Sequence, residues 1–184
     1  MYDMNVLTEG ILPSIAIRGI APFPHTDLRI EIGRNVSKRA LLEAERNYDS
    51  HVLLLIQENP MIDAPTPSNV LDYGVVAKIG IKIKLPNGNY KVKFDPIVRA
   101  EVLSIPKTEP FFVSNFKTMP TVQADIDQEL ALVRMLAKQV LDNNKTVLKN
   151  PKLSLEAIQS GVSSDKLCDI VANSLKISEN QKYK

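Results

Sequence analysis

Tryptophan is absent from this 184-residue chain, and cysteine and histidine are nearly so: Cys168 is the only thiol, and His25 and His51 are the only imidazoles. A single thiol excludes an internal disulfide and any site built on several thiolates, and it fits a reducing cytoplasm. Neither histidine has a second ligand at metal-binding spacing, so both are read as structural and no metal is expected. Cys168 is read as a small buried packing residue. No stretch approaches the roughly 20 apolar residues that span a bilayer. The opening MYDMNVLTEG lacks the basic start and apolar run of a signal peptide. Charge of one sign is also missing: 23 basic and 21 acidic side chains leave +2, which argues against a dedicated nucleic-acid binder. Of the seven glycines, none opens G-x-x-x-x-G-K-[ST], so the chain lacks the loop that cradles nucleotide phosphates.

What is present is a β-rich stretch followed by a helical one. Eleven of the twelve prolines lie at or before Pro120, and helical periodicity dominates after it. Ile11 to Gly19 and Thr26 to Ile32 read as strands, and Ser37 to Asn47 as an amphipathic helix with Ala40, Leu41, Ala44 and Tyr48 on one face. His51–Gln57 is apolar almost throughout and suits a central strand buried on both faces. Glu58 to Val70, with three prolines, reads as a surface loop. From Val75 to Leu85 the odd positions are apolar, which predicts one inward face including Ile79, Ile81 and Ile83. Pro86-Asn87-Gly88-Asn89 then reverses the chain into Tyr90 to Phe94, and Ile97 to Leu103 reads as a separate strand after Asp95-Pro96. A further strand near Phe111 to Phe116 would help close a small barrel. From Ala124, the residues Ile126, Leu130, Val133, Ala137 and Val140 form the seam of a helix packing on others, ending at Asn143-Asn144. Leu153 to Ser160 closes at Gly161, and a last helix starts at Ser163 or Ser164. The expectation is an α+β chain, with a β-rich domain over 1–118 and a helical subdomain over 119–184.

The ordered set LPSIAIRG, Phe23-Pro24, IGR, ALLEAERN, LLLIQENP, YGVVAKI, LPNG and VRAEV resembles the amino-terminal domain of the Lon family of ATP-dependent proteases. DKLCDIVANSLKI, from Asp165 to Ile177, resembles the helical part of the same region, so nearly the whole chain is covered. Two positions depart from the pattern: His25 stands where the family usually has glycine, and Pro96 where an EG turn is expected. The resemblance implies a PUA-like β-barrel with one packed helix, joined to an α-helical bundle. It implies a substrate-recognition and assembly region for unfolded or degron-bearing proteins, in a parent that forms a hexamer. ATP and Mg are expected only for an ATPase lying downstream, with the serine–lysine protease, beyond a fragment that ends near Lys184. This chain itself is then expected to hold no cofactor and no catalytic residue.

Five apolar residues fall in loops that a core should not need: Pro22, Phe23, Pro24, Met61 and Ile62. Exposed apolar patches mark partner sites, and methionine adapts to many surfaces, so these five are the candidate substrate-binding residues. The plainer reading is that they plug the ends of the barrel. An alternative function is a PUA-type RNA-binding module using Lys78, Lys82, Lys84, Lys91 and Lys93 on the hairpin. The plainer reading of those lysines is a solvated face that protects a sheet edge.

Overall fold

The computed structural model describes residues 8–122, 125–149 and 151–183. The chain forms two compact units, Met1–Pro120 and Thr121–Lys184. Among the described residues the first carries six strands and one α-helix: β1 (Glu9–Ile17), β2 (Leu28–Ile32), α1 (Asn35–Asn47), β3 (His51–Gln57), β4 (Val70–Lys84), β5 (Tyr90–Lys107) and β6 (Phe112–Met119). The strands form one sheet in the order β2-β5-β4-β3-β1-β6, and the 18-residue β5 also pairs with β6. Only β1 and β3 run parallel, which requires the crossover that β2 and α1 supply.

All seven residues of β3 are buried, as its apolar run predicts. The alternation along it feeds two cores. Val52 and Leu54 join Ala40, Leu41 and Ala44 of α1, while Leu53 and Leu55 join Leu12, Val76, Val98 and Phe116. Beside β3 the backbone approach is close enough to require glycine: a Cβ at Gly74 would fall 2.5 Å from the Leu54 carbonyl oxygen. Gly88 takes φ 78° in the β4–β5 turn, a conformation that glycine adopts without strain.

Two expectations about this sheet are corrected. Ile81 and Ile83 do not face inward: they are 65% and 55% exposed. The register shifts between Ile79 and Lys82, where three steps on β4 oppose two on β5, and an extra residue reverses the faces of everything after it. Lys82 is thereby turned toward α1, where it bonds Glu45. Pro96 does not divide two strands either. β5 runs through it because the ladder shifts register at that point, Val76 pairing with Val98 and Ala77 with Pro96, so the missing N–H falls at an irregularity. His25, where the family usually has glycine, takes φ 61°, the left-handed region that favours glycine.

The second unit holds α2 (Ile126–Val147), α3 (Pro151–Ser160) and α4 (Ser164–Ser174) around a core of Val140, Leu148, Ala157, Leu167 and Val171. The expected start at Ala124 lies outside the described residues. The Asp125 side chain accepts from the Asp127 and Gln128 N–H groups at 3.1 and 3.2 Å, an N-cap for α2. That helix runs on past Asn144 to Val147. Its seam is only partly buried, with Ile126 74% exposed. At 1.5 Å per residue α2 is about 33 Å long, about twice the length of α3 or α4, which cannot cover it. Cys168, expected inside, is exposed. Its neighbour Asp169 is buried instead.

Candidate functional site

The site begins with the residues at the two ends of α1 and β3. Gly33-Arg34 leads into α1, and Gln57 closes β3 as a buried amide. Arg34 Nη1 donates to the Ala16 carbonyl at 3.2 Å, and Nη2 donates to Gln57 Oε1 at 3.1 Å and to the Ile62 carbonyl at 3.2 Å. Gln57 Nε2 donates to the Asn59 and Ile62 carbonyls, both at 2.6 Å. Arg18 Nη1 reaches Asp63 Oδ1 at 2.7 Å from the other side. Three side chains therefore brace the turn at 58–63. The Asn59 side chain accepts from the Met61 N–H at 3.0 Å, and the Met61 side chain stands in solvent, 84% exposed.

Beside this braced turn lies a cleft of about 750 Å3, lined by the end of β1, by β2 and by the start of α1. A second hollow of about 200 Å3 lies against Phe112 and Pro65, and Ala16, Arg34, Ser37 and Asp63 line both. The cleft mixes apolar Ile17, Ile20 and Ile30 with Arg18, Arg29 and Arg34 and with Glu31 and Asp63. Glu31 accepts from Asn89 at 2.6 Å and Asn87 at 3.2 Å, and these bonds, with the charge of Lys91 and Lys38, hold its carboxyl below the usual range. Arg34 is held below the usual guanidinium range by burial first and by the like charge of Arg18 second, with the charge of Asp63 opposing both.

Of the five candidate residues, the structure leaves only Met61 fully in solvent. Pro22, Phe23 and Pro24 are buried, Phe23 to 7% exposure, so the expectation of exposure fails for that loop. The loop is folded inward and tied, with Thr26 Oγ1 donating to the Phe23 carbonyl at 2.7 Å and the Arg99 guanidinium 5.9 Å from the Phe23 ring centre. Ile62 is half-buried and contributes its carbonyl to the brace. The five do not make one exposed patch. Residue-type reasoning gave no role to Arg34 and Gln57. Each is a polar residue at the boundary of an apolar stretch, in IGR and LLLIQENP, and that position was the available signal.

Three of the five hairpin lysines have carboxylate partners. Lys82 pairs with Glu45, Lys78 lies 3.6 Å from Asp49, and Lys93 lies 3.2 Å from Asp27 and 3.0 Å from Asp95. Among the described residues no group of three or more histidine, cysteine or acidic side chains is placed to hold a metal ion. Among them, too, no helix is long and apolar enough to cross a membrane.

The model of the family described as the ATP-dependent protease La (LON) substrate-binding domain matches residues 11–184. A Lon protease of Aster yellows witches'-broom phytoplasma is 33% identical over 174 residues, covering 94% of this chain and 22% of that protein. One from Bacillus thuringiensis is 30% identical over 183 residues, covering 99% and 23%. The chain thus spans somewhat over a fifth of the length of these relatives. In structure it is similar to the N-terminal domain of a Mycobacterium avium complex Lon protease. The TM-score is 0.68 at 16% identity, over 94% of this chain and 87% of the other, a likeness of fold. A Lon N-terminal domain protein of Xanthomonas campestris gives a TM-score of 0.53 at 12% identity, over 82% and 90%. With that family matched from Ile11 to the last residue, the chain belongs to the Lon substrate-binding domains.

Proposed function

We propose that this chain is the substrate-recognition and assembly region of an ATP-dependent Lon-type serine protease, binding unfolded or degron-bearing polypeptides and passing them to an ATPase elsewhere in the protein. The match to the substrate-binding-domain family over residues 11–184 carries the reading. The braced turn at 58–63 supports it, because a methionine held out on a rigid support offers a deformable apolar contact to many sequences. In this reading the first unit is a PUA-like barrel, since β5 pairs with β6 as well as with β4 and the ladder returns on itself. The helical unit extends toward the ATPase and takes part in a hexameric assembly in the cytoplasm. ATP and Mg serve that ATPase, while this chain binds no cofactor and cuts nothing by itself. RNA binding through the hairpin is disfavoured by the carboxylate partners of Lys78, Lys82 and Lys93.

Titration calorimetry tests the reading with a reduced, carboxymethylated protein that stays unfolded, its native counterpart and a single-stranded RNA as titrants. The chain is expected to bind the unfolded form and to ignore the native one. Salt-steep RNA binding with no affinity for unfolded protein would overturn the proposal.

A further inference from the structure

The cleft beside Arg34 has two walls that are strand edges. β2 pairs through Leu28 to Ile32 with β5, and among the described residues with no other strand. β1 pairs with β6 only as far as Ser14, opposite Phe112, so Ile15 to Ile17 keep β3 on one side and no strand on the other among those residues. Ala16, Ile17 and Arg18 from one edge and Arg29 to Ile32 from the other line the same cleft. Alternate peptide groups of a strand point to each of its edges, so β2 offers N–H and C=O groups to whatever enters, while on the β1 wall the Ala16 carbonyl is already held by Arg34. The short, charged β2 has the usual form of an edge protected against aggregation. This edge differs because it walls a cavity within the size range of ligand sites.

The lining also holds a guanidinium, Arg34, that bonds no carboxylate, although the charge of Asp63 acts on it. The donors of Arg34 go to three neutral oxygens, on Ala16, Gln57 and Ile62. Among the described residues no carboxylate lies within ion-pair distance of it. Asp63 bonds Arg18, and Glu31 bonds Asn87 and Asn89, so both acids of the cleft already have partners. A half-buried guanidinium that donates only to neutral oxygens, and shares the one nearby acid, Asp63, with Arg18, favours an incoming carboxylate, which it can take in two parallel bonds. Ile20 and Ile30 line the same cleft as this charge.

We infer that the cleft binds an extended segment of polypeptide as an added strand, with an aspartate or glutamate side chain of that segment paired to Arg34. A peptide backbone satisfies the open edge of β2, as in other strand-addition complexes, and its alternating side chains meet the isoleucines. A nucleic-acid strand has no N–H and C=O ladder to pair with that edge, and Glu31 and Asp63 repel a continuous row of phosphates. The inference deepens the substrate-recognition reading and rests on it: it names the conformation and chemistry of the segment first gripped.

Fluorescence anisotropy with the 184-residue chain tests this, using capped seven-residue peptides of alternating valine and threonine. One carries a central glutamate, its twin carries glutamine, and a third is the glutamate peptide N-methylated at alternate amides. The glutamate peptide is expected to bind about tenfold to a hundredfold more tightly than its twin, the weight of a charge-assisted hydrogen bond. N-methylation should abolish binding. Arg34→Gln should bring the glutamate peptide down to the affinity of the glutamine twin and leave the twin unchanged. The peptide comparison needs no variant, so a fold disturbed by the substitution does not blunt it. If the three peptides bind alike, or a glutamine peptide with a free C-terminus matches the glutamate peptide, the inference is overturned. Should that happen while the unfolded protein of the calorimetric test still binds, recognition stands and takes place elsewhere. If neither peptides nor unfolded protein bind, both readings fall.

Discussion

Replacing Gly74 with alanine is a direct test of how the central strands are spaced. The new Cβ would lie 2.5 Å from the Leu54 carbonyl oxygen, where ordinary contact begins at 3.4 Å, a shortfall of about 0.9 Å (3.4 minus 2.5). That oxygen belongs to the backbone of β3, buried along its whole length, so it cannot swing aside as a side chain would. The β3–β4 ladder around Leu54↔Val75 and Leu55↔Gly74 must open instead. Overpacking costs about 1–3 kcal/mol, and one weakened ladder bond adds about 1 kcal/mol. Stiffening the unfolded chain returns about 0.4–1 kcal/mol. The balance is a loss of about 2 kcal/mol, which at a urea slope of about 2 kcal/mol per molar moves the midpoint down by about 1 M. The assay is urea unfolding by far-ultraviolet circular dichroism, with amide exchange in β3 reporting on this unit alone. Gly33→Ala is the control, because a Cβ there meets only the Asn89 side chain, at 3.2–3.4 Å, and the change should stay within about 0.5 kcal/mol. A Gly74→Ala protein that unfolds at or above the wild-type midpoint would refute the reasoning.

The irregular register of β4 predicts unequal isoleucines. Ile79→Ala, at a buried site, should cost about 2–5 kcal/mol, whereas Ile81→Ala should change stability by less than about 0.5 kcal/mol; equal losses in urea melts would restore the unbroken alternation. Asp125→Ala removes the acceptor for two N–H groups at the start of α2 and should cost that helix about 1 kcal/mol. Faster amide exchange at Asp127 and Gln128 would report it, and unchanged protection would count against the cap. Burial holds His51 below its ordinary value of 6.5; the Lys78 charge pushes the same way, while the Tyr48 carbonyl and Asp49 oppose it. Below pH 6.5 the unfolded chain therefore takes up a proton that the folded chain refuses, and stability falls until the pH reaches the depressed folded value. Urea midpoints should drop more for the wild type than for His51→Gln between about pH 7 and pH 5, and parallel curves would show that the imidazole is not the cause.

Much of the fold was legible because its signals were local. β3 runs from His51 to Gln57 as read, since an apolar stretch with polar flanks has no solvent face to offer. α1 buries Ala40, Leu41 and Ala44 as its spacing requires. The bulge after Ile79 was not legible: a single inserted residue leaves no mark in the alternation yet reverses every face beyond it. Pro96 misled for a related reason, because a strand tolerates proline where its ladder is already irregular. At the site, Met61 was readable as an apolar residue without a local partner. Phe23 was not, since a proline-bracketed loop can turn either outward or inward, and here it is tied in by Thr26 and covered by Arg99. Arg34 and Gln57 brace a turn distant in sequence from Arg34, and no spacing rule carries that information.

The central claim is that unfolded polypeptide is gripped by the β-rich unit, at the cleft and the braced turn beside it. A nitrogen-15 NMR titration of the chain with a permanently unfolded protein measures this directly. The account predicts amide shifts concentrated at residues 16–18, 29–34 and 58–63, with α2, α3 and α4 unmoved. Shifts confined to the three helices, or none at saturating concentration, would contradict it.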